Sequence, residues 1–317
     1  MKKVTVILSS YNGEKYIEEQ LYSLLNQERE IDEVIISDDC STDGTPKIIA
    51  NFIYKNGLNK KWFFYQNVEN MGWKKNFFEL LRLASGDYIF LCDQDDIWLP
   101  HKIKSMVEIM EKNNNIEVLA SNYISKYENG AKKISHKITK KMNNTNDVKK
   151  VIFNKHFMEV LRPGCTFVVR QSLIKELDYF SDNEFAHDAI LWRISLIRDS
   201  LYIFENKTII FRRHDNNASK ENKNLQNYLK IYLNRKDFCR QLISYIKINI
   251  ENAEISKKLN VINKKLNFYT NIIDIFQKRS LFRFILMYGK NYSYYYTQKS
   301  AALDFLLIAK AKRSKKI

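Results

Sequence analysis

The chain has few cysteines, and they are scattered. Cys40, Cys92, Cys165 and Cys239 lie far apart in 317 residues, with no CxxC pair and no histidine at ligand spacing beside them. That pattern excludes a disulfide framework and a structural zinc site, and it suits a reducing compartment. No uninterrupted apolar run reaches the roughly 18 residues that a membrane-spanning helix needs. The apolar run Val4–Leu8 behind Lys2 and Lys3 is too short for a secretory leader and leads into a helical pattern. It therefore reads as a first strand, and a soluble or peripheral protein is expected. Internal repeats are absent. No glycine- and lysine-rich loop follows the first strand, where Ser10-Tyr11-Asn12-Gly13-Glu14 stands instead.

What is present is enough apolar material for a sizeable core, 45% of residues, so disorder is not the default. The net charge of +16 is unevenly placed. Residues 221–317 hold 20 Lys and Arg against 6 Asp and Glu, while residues 1–220 hold 32 against 30. A break of that size predicts two parts, 1–220 and a basic region 221–317. In the first part, strand patterns at 4–9, 33–38, 62–66 and 87–92 alternate with helical patterns at 14–26, 45–54 and 74–84. This is the spacing of βαβ units and predicts an α/β fold with a central, mostly parallel sheet. Thr45 and Pro46 read as an N-cap and first helical residue, and Pro100 as the start of a further helix. Strands at 117–124, 165–170 and 201–213, with a helix near 188–198, complete this part. The polar stretch 127–150 reads as a loop or flap. Beyond residue 225 the pattern is helical throughout.

The stretch from Asp87 to Pro100 organises the rest. Tyr88–Cys92 is an apolar strand, and Asp93, Asp95 and Asp96 follow it directly. Strands of a parallel sheet bind ligands at their carboxyl ends. Carboxylates this close repel one another and need a cation, and hard oxygen donors suit Mg²⁺ or Mn²⁺ bridging to a substrate phosphate. The plainer alternative is a solvated acidic turn that caps the next helix.

Four motifs together resemble the family 2 glycosyltransferases of the GT-A (Rossmann-like, nucleotide-diphospho-sugar transferase) fold, the bacterial surface-polysaccharide type. They are Val6–Asn12; Ser37–Thr45, with Cys40 where glycine is usual; Asp93-Gln94-Asp95-Asp96 with Trp98 and Pro100; and Phe185–Arg193, with His187 where Glu is commoner. Arg212–Ser219 is similar to a rhamnosyltransferase-like branch. The likeness covers about residues 1–220.

The resemblance implies an inverting, metal-dependent transfer of a sugar from a UDP- or dTDP-sugar to a glycan acceptor, lipid-linked in O-antigen or capsule synthesis. Asp38 or Asp39, the latter preferred, would accept from N3–H of the base, with Ser9 and Tyr11 lining its pocket and Asp93 reaching the ribose. Asp93 and Asp95 would hold the ion, joined by His214. Asp188 would be the general base, although an N-cap role also fits it. Asp96, His187 and Arg213 would contact donor, acceptor or phosphate. Trp98 would stack on sugar, with buried aromatic packing the plainer reading for it. Lys74 and Lys75 read either as facing the pyrophosphate or as a solvated pair. Two other readings stay open: a nucleotidyltransferase, and a catalytically silent sugar-binding or scaffold protein. The basic tail reads as a surface for anionic lipid on the inner face of the plasma membrane, or as plain helical packing or dimerisation. It carries no nucleic-acid motif, and the oligomeric state is open.

Overall fold

The computed structural model describes residues 2–128, 142–180, 184–214, 224–250 and 254–313. Two compact units divide the chain. One comprises Met1–Val151, Leu161–Asp178 and Ala186–Asn217; the other comprises Ile152–Val160, Tyr179–Phe185 and Ala218–Ile317. The second unit thus takes two short pieces from the first two-thirds of the chain, in addition to the basic region.

The first unit is built on one sheet. Its strands are β1 (Val4–Ser10), β2 (Glu33–Asp38), β3 (Trp62–Gln66), β4 (Tyr88–Asp93), β5 (Ile97–Trp98), β6 (Val118–Tyr127), β7 (Val148–Lys150), β8 (Phe167–Arg170) and β9 (Leu201–Arg213). They run in the order β3–β2–β1–β4–β8–β6–β9–β5, and β7 also pairs with β9. β3, β2, β1 and β4 are parallel; β8 runs against both β4 and β6, and β9 returns parallel to β6. β1 and β2 are buried at every position, as is β4 as far as Cys92, which is why they read as continuous apolar runs rather than alternating ones.

Helices α1 (Ile17–Leu25), α2 (Thr45–Lys55), α3 (Trp73–Leu83), α4 (Lys102–Lys112) and α5 (His187–Ile197) belong to this unit. The inward side chains Ile17, Leu21, Ile49, Phe52, Ile103 and Met106 join Val6, Leu8, Ile36 and Phe90 in one core. The alternation predicted from the pattern is present. Two helix starts differ from expectation. α2 is capped at Gly44, and the Thr45 hydroxyl turns to Asp43 Oδ1 at 2.5 Å, so Asp43 ties down the first turn. α4 begins at Lys102, two residues past Pro100. The stretch expected as a flap contains β7, and 129–141 of it lies outside the described residues.

The second unit is helical: α6 (Leu225–Asn249), α7 (Ile255–Lys278), α8 (Leu281–Asn291) and α9 (Gln298–Arg313). Its core gathers Phe180, Phe238, Leu242, Tyr245, Ile262, Tyr269, Ile272 and Phe276. No described helix is long and apolar enough to cross a membrane.

Candidate active site

Strand register assembles the site. Ser9 of β1 stands opposite Ser37 of β2 on one side and Asp93 of β4 on the other, and Ser10 stands opposite Asp38. The carboxyl ends of three parallel strands therefore meet at one edge of the sheet, where ligands bind in such folds.

At the β1–β2 side the polar groups are tightly tied to one another. Asp38 is fully buried; it accepts from the Ser10 hydroxyl at 2.9 Å and from the Ser41 hydroxyl and N–H at 2.6 and 2.8 Å. Asp39 is buried as well; it accepts from Asn67 Nδ2 at 3.0 Å and from the N–H groups of Met71 and Gly72 at 2.9 and 2.8 Å. Asp38 is thus the anchor of its own turn rather than an open nucleotide contact. Asp39 holds the 70–72 loop and keeps one lone-pair direction on Oδ2. Ser9 receives a hydrogen bond from Asn76 Nδ2 at 2.8 Å. Asn76 also bonds the Ser37 carbonyl and hydroxyl, at 3.0 and 2.6 Å, making it a buried link between α3 and two strand ends. Tyr11 is exposed, and its backbone N–H and C=O are both paired with the Gln94 side chain at 2.9 Å. A Cβ on Gly13 would fall 2.2 Å from Gln94 Oε1, so glycine is required for this clasp.

The β4 side carries the charge. Asp93 and Asp95 are part-buried and Asp96 is fully buried. Burial first, then the charges of Asp95 and Asp188, raise the Asp93 carboxyl to about 7. Burial and the same crowding push Asp96 up as well. Asp96 Oδ1 accepts from the Arg212 N–H at 3.0 Å, and Oδ2 is buried without an ordinary partner among the described residues. The Cys165 thiol lies within 4.8 Å of both Asp93 and Asp96. Its own pKa is pushed well up by burial and by those carboxylates, so it stays protonated and serves as a weak donor. A protonated thiol is a poor ligand for a hard ion. Asp95 Oδ2 instead meets His214 Nε2 at 2.7 Å, and the His214 ring stacks on Tyr16 with centroids 4.7 Å apart. Arg212 covers the same Tyr16 ring and pairs with Glu19 and Glu128. The end of β9 is thereby fastened over the acidic loop. Asp93, Asp95 and His214 carry oxygen and imidazole donors of the kind Mg²⁺ or Mn²⁺ takes, while the three ligand atoms within 4.8 Å of one another among the described residues are those of Asp93, Asp96 and Cys165.

Asp188 sits in the first turn of α5, where its Oδ1 accepts from the Ala189 N–H at 2.7 Å. It is at the second helical position rather than the N-cap, which is Ala186. The turn Gly164–Thr166 brings it to the acidic cluster: Gly164 packs on Asp188 while Cys165 packs on Asp93 and Asp96. Neither Gly164 nor Cys165 stands out in the sequence, apart from a Pro163-Gly164 turn signal. Gln94 lies inside the acidic motif without a foreseen role.

Two expected ligand contacts are core residues instead. Trp98 is 2% exposed and packs against Phe90 and the buried Lys102. His187 is 3% exposed, stacks on Phe77 at 4.3 Å, and is held neutral by burial with its pKa lowered to about 4. Asp96, for the same reason, faces the protein interior. Arg213 lies over the Phe211 ring at 5.6 Å. Lys74 and Lys75 are exposed in the first turn of α3.

Against this geometry, residues 5–178 match the family model described as Glycosyl transferase family 2. The chain belongs to that family. Within it, the chain is 32% identical over 254 residues to dTDP-rhamnosyl transferase RfbG of Shigella flexneri, covering 75% of this chain and 83% of that protein. It is 27% identical over 248 residues to an uncharacterized glycosyltransferase of Methanocaldococcus jannaschii, covering 75% and 82%. In fold it is similar to S. aureus TarS 1–349, solved with UDP-GlcNAc, at a TM-score of 0.60 and 18% identity, over 98% of this chain and 92% of that one. A Pyrobaculum calidifontis mannosyltransferase solved with GDP-Man and Mn²⁺ gives 0.51 and 16%, over 98% and 86%. Family membership makes the protein a glycosyltransferase and removes the nucleotidyltransferase alternative.

Proposed function

We propose that this glycosyltransferase moves a sugar from a dTDP- or UDP-sugar to a glycan acceptor, with inversion at C1 and with Mg²⁺ or Mn²⁺ bound. The observation that carries this reading is the single turn Gly164–Thr166, which brings Asp188 against the Asp93 cluster at the carboxyl edge of the sheet. A reaction of this kind needs a base and a phosphate-binding charge site close together. The dTDP donor is favoured by the likeness to the Shigella rhamnosyl transferase.

In this reading Asp93 and Asp95, with His214, would hold the ion, which when bound would supply positive charge against the departing diphosphate. The base of the nucleotide lies over the β1–β2 edge, where Tyr11 is exposed and Asp39 offers its remaining acceptor direction to N3–H. Asp188, ionised, takes the proton of the acceptor hydroxyl. The acceptor oxygen bonds to C1 on the face opposite the diphosphate as the C1–O bond to the phosphate breaks. His214 is fixed for its part by the Tyr16 ring and by Asp95.

The acceptor is proposed to be lipid-linked, as in surface polysaccharide assembly, with the helical unit resting on anionic membrane. α8 and α9 expose Phe282, Ile285, Leu286 and Leu306 among basic residues, the composition of an interfacial helix face. Release of nucleoside diphosphate from dTDP-rhamnose and from UDP-sugars tests the reaction. Asp95→Ala is expected to cut turnover by about 10²–10³-fold and Asp188→Asn by about 10²–10⁴-fold, both without loss of fold. Full activity in EDTA removes the metal, and near-normal turnover of Asp188→Asn moves the base elsewhere.

A further inference from the structure

The helical unit contains a cavity that the transfer chemistry does not use. Its volume is about 290 Å³, and all its walls come from that unit. This is the low end of the roughly 300–1,000 Å³ found for small-molecule pockets and suits one sugar ring better than a nucleotide. Six of the lining residues are tyrosines, and the charged ones are Arg235, Lys265, Lys299 and Glu159.

The position of Lys265 is unusual. Its side chain is 2% exposed, and its ammonium donates to the Tyr294 carbonyl at 2.7 Å. The ring centroids of Phe268, Tyr269 and Tyr294 lie at 5.2–5.9 Å from it, and the charges of Arg235, Lys155 and Glu159 also act on it. An ammonium has three donors, and an ion withdrawn from water needs a counter-charge. The carboxylate in the cavity wall, Glu159, pairs with Arg235 at 3.2 Å rather than with Lys265, which makes no ion pair among the described residues. Burial lowers Lys265 to about 8, so it is still largely cationic at neutral pH. Behind the wall, Asp304 accepts from the Tyr232 and Tyr295 hydroxyls at 2.6 and 2.9 Å and fixes both rings. Lys299 is exposed and adds a further positive charge at the rim.

We infer that this cavity is a second carbohydrate site, one that binds a saccharide bearing a carboxylate or a phosphate. The anionic group completes the shell of Lys265, with Lys299 at the rim. The fixed tyrosine rings give the sugar an apolar face to lie on, and their free edges meet its hydroxyls. A wholly aliphatic lining would suit a lipid chain, and a lining without cations a neutral sugar. This goes beyond the transfer reading and does not rest on it, since neither Asp95 nor Asp188 lines the cavity.

The test uses the full chain and ligand-observed saturation-transfer NMR with glucuronate, glucose 6-phosphate and glucose. Saturable binding of glucuronate, of glucose 6-phosphate or of both is expected, at least tenfold tighter than glucose. Glucuronate alone identifies an acidic sugar as the ligand class, and glucose 6-phosphate alone a phosphorylated one. Lys265→Met, an apolar replacement of similar length, is expected to weaken that binding at least tenfold, and Asp95→Ala to leave it unchanged. If Lys265→Met does not fold, Lys299→Ala on the exposed rim is expected to weaken binding about threefold. The inference is overturned by absence of saturable binding, by equal binding of glucose, or by binding that survives the folded Lys265→Met variant. Loss in Asp95→Ala also overturns it, because the sugar is then in the donor site.

Discussion

A single Cβ at Gly164 is enough to displace Asp188, the proposed base. An added methyl there would lie 2.8 Å from Asp188 Cβ and 3.0 Å from its Oδ2, closer than such contacts allow. Gly164→Ala must push the carboxylate aside, and misplacement of about 1 Å in a reacting group costs about 10²-fold in rate. The expected outcome is a fall in kcat of that order with little change in Tm, read from nucleotide release beside a melting curve; unchanged kcat would detach Asp188 from the chemistry. Cys40 gives the opposite kind of prediction. It takes a left-handed backbone, φ 63°, at the position where the family usually places glycine. That conformation costs an L-residue about 1–2 kcal/mol. Cys40→Gly is expected to raise the denaturant midpoint by about 1 kcal/mol of stability, since glycine's larger unfolded-state entropy offsets part of the gain.

Among the elements, the loop after β4 is where electrostatics decides behaviour. Asp93 binds its proton more tightly in the fold, at about 7, than in the unfolded chain, at about 3.9. The stability from this group is complete below pH 4 and is lost as pH rises through 7. A divalent ion held by Asp93, as proposed, would work against that loss, because it would favour the ionised carboxylate. Mn²⁺ is therefore expected to raise Tm clearly at pH 8 and little at pH 5, in parallel melts with Mn²⁺ and with EDTA. Equal shifts at both pH values would argue against Asp93 as a ligand. β9 is the partner element. Its end places the Arg212 N–H on Asp96 and His214 on Asp95, and Tyr16 of the segment before α1 supports both side chains.

For the whole molecule, charge and apolar exposure coincide in the helical unit. Removing everything past residue 218 is a blunt test of membrane binding, because that unit also holds the buried Phe157, Met158 and Phe180 from earlier in the chain. Substitution is cleaner. Phe282→Ser with Ile285→Ser, both exposed on α8, is expected to reduce flotation with phosphatidylserine vesicles severalfold while leaving Tm within about 1 °C. Flotation equal to the wild type would leave the exposed apolar face of α8 without a lipid role.

Much of this protein is determined locally. The alternation of apolar strands with amphipathic helices, the acidic cluster after β4 and the helical basic region follow from side-chain type and period, which neighbouring residues set by themselves. The tertiary structure decided which polar groups are open and which are used up. Asp38, Asp96, His187 and Trp98 sit in motifs that resemble ligand contacts, yet burial and internal hydrogen bonds enclose them. It also brought Gly164 and Cys165 against carboxylates far away in sequence, and left Lys265 among aromatic rings with no ion pair among the described residues. Spacing along a chain fixes what a residue can offer, but its partners and its access to water depend on distant segments meeting, and sequence distance does not encode that.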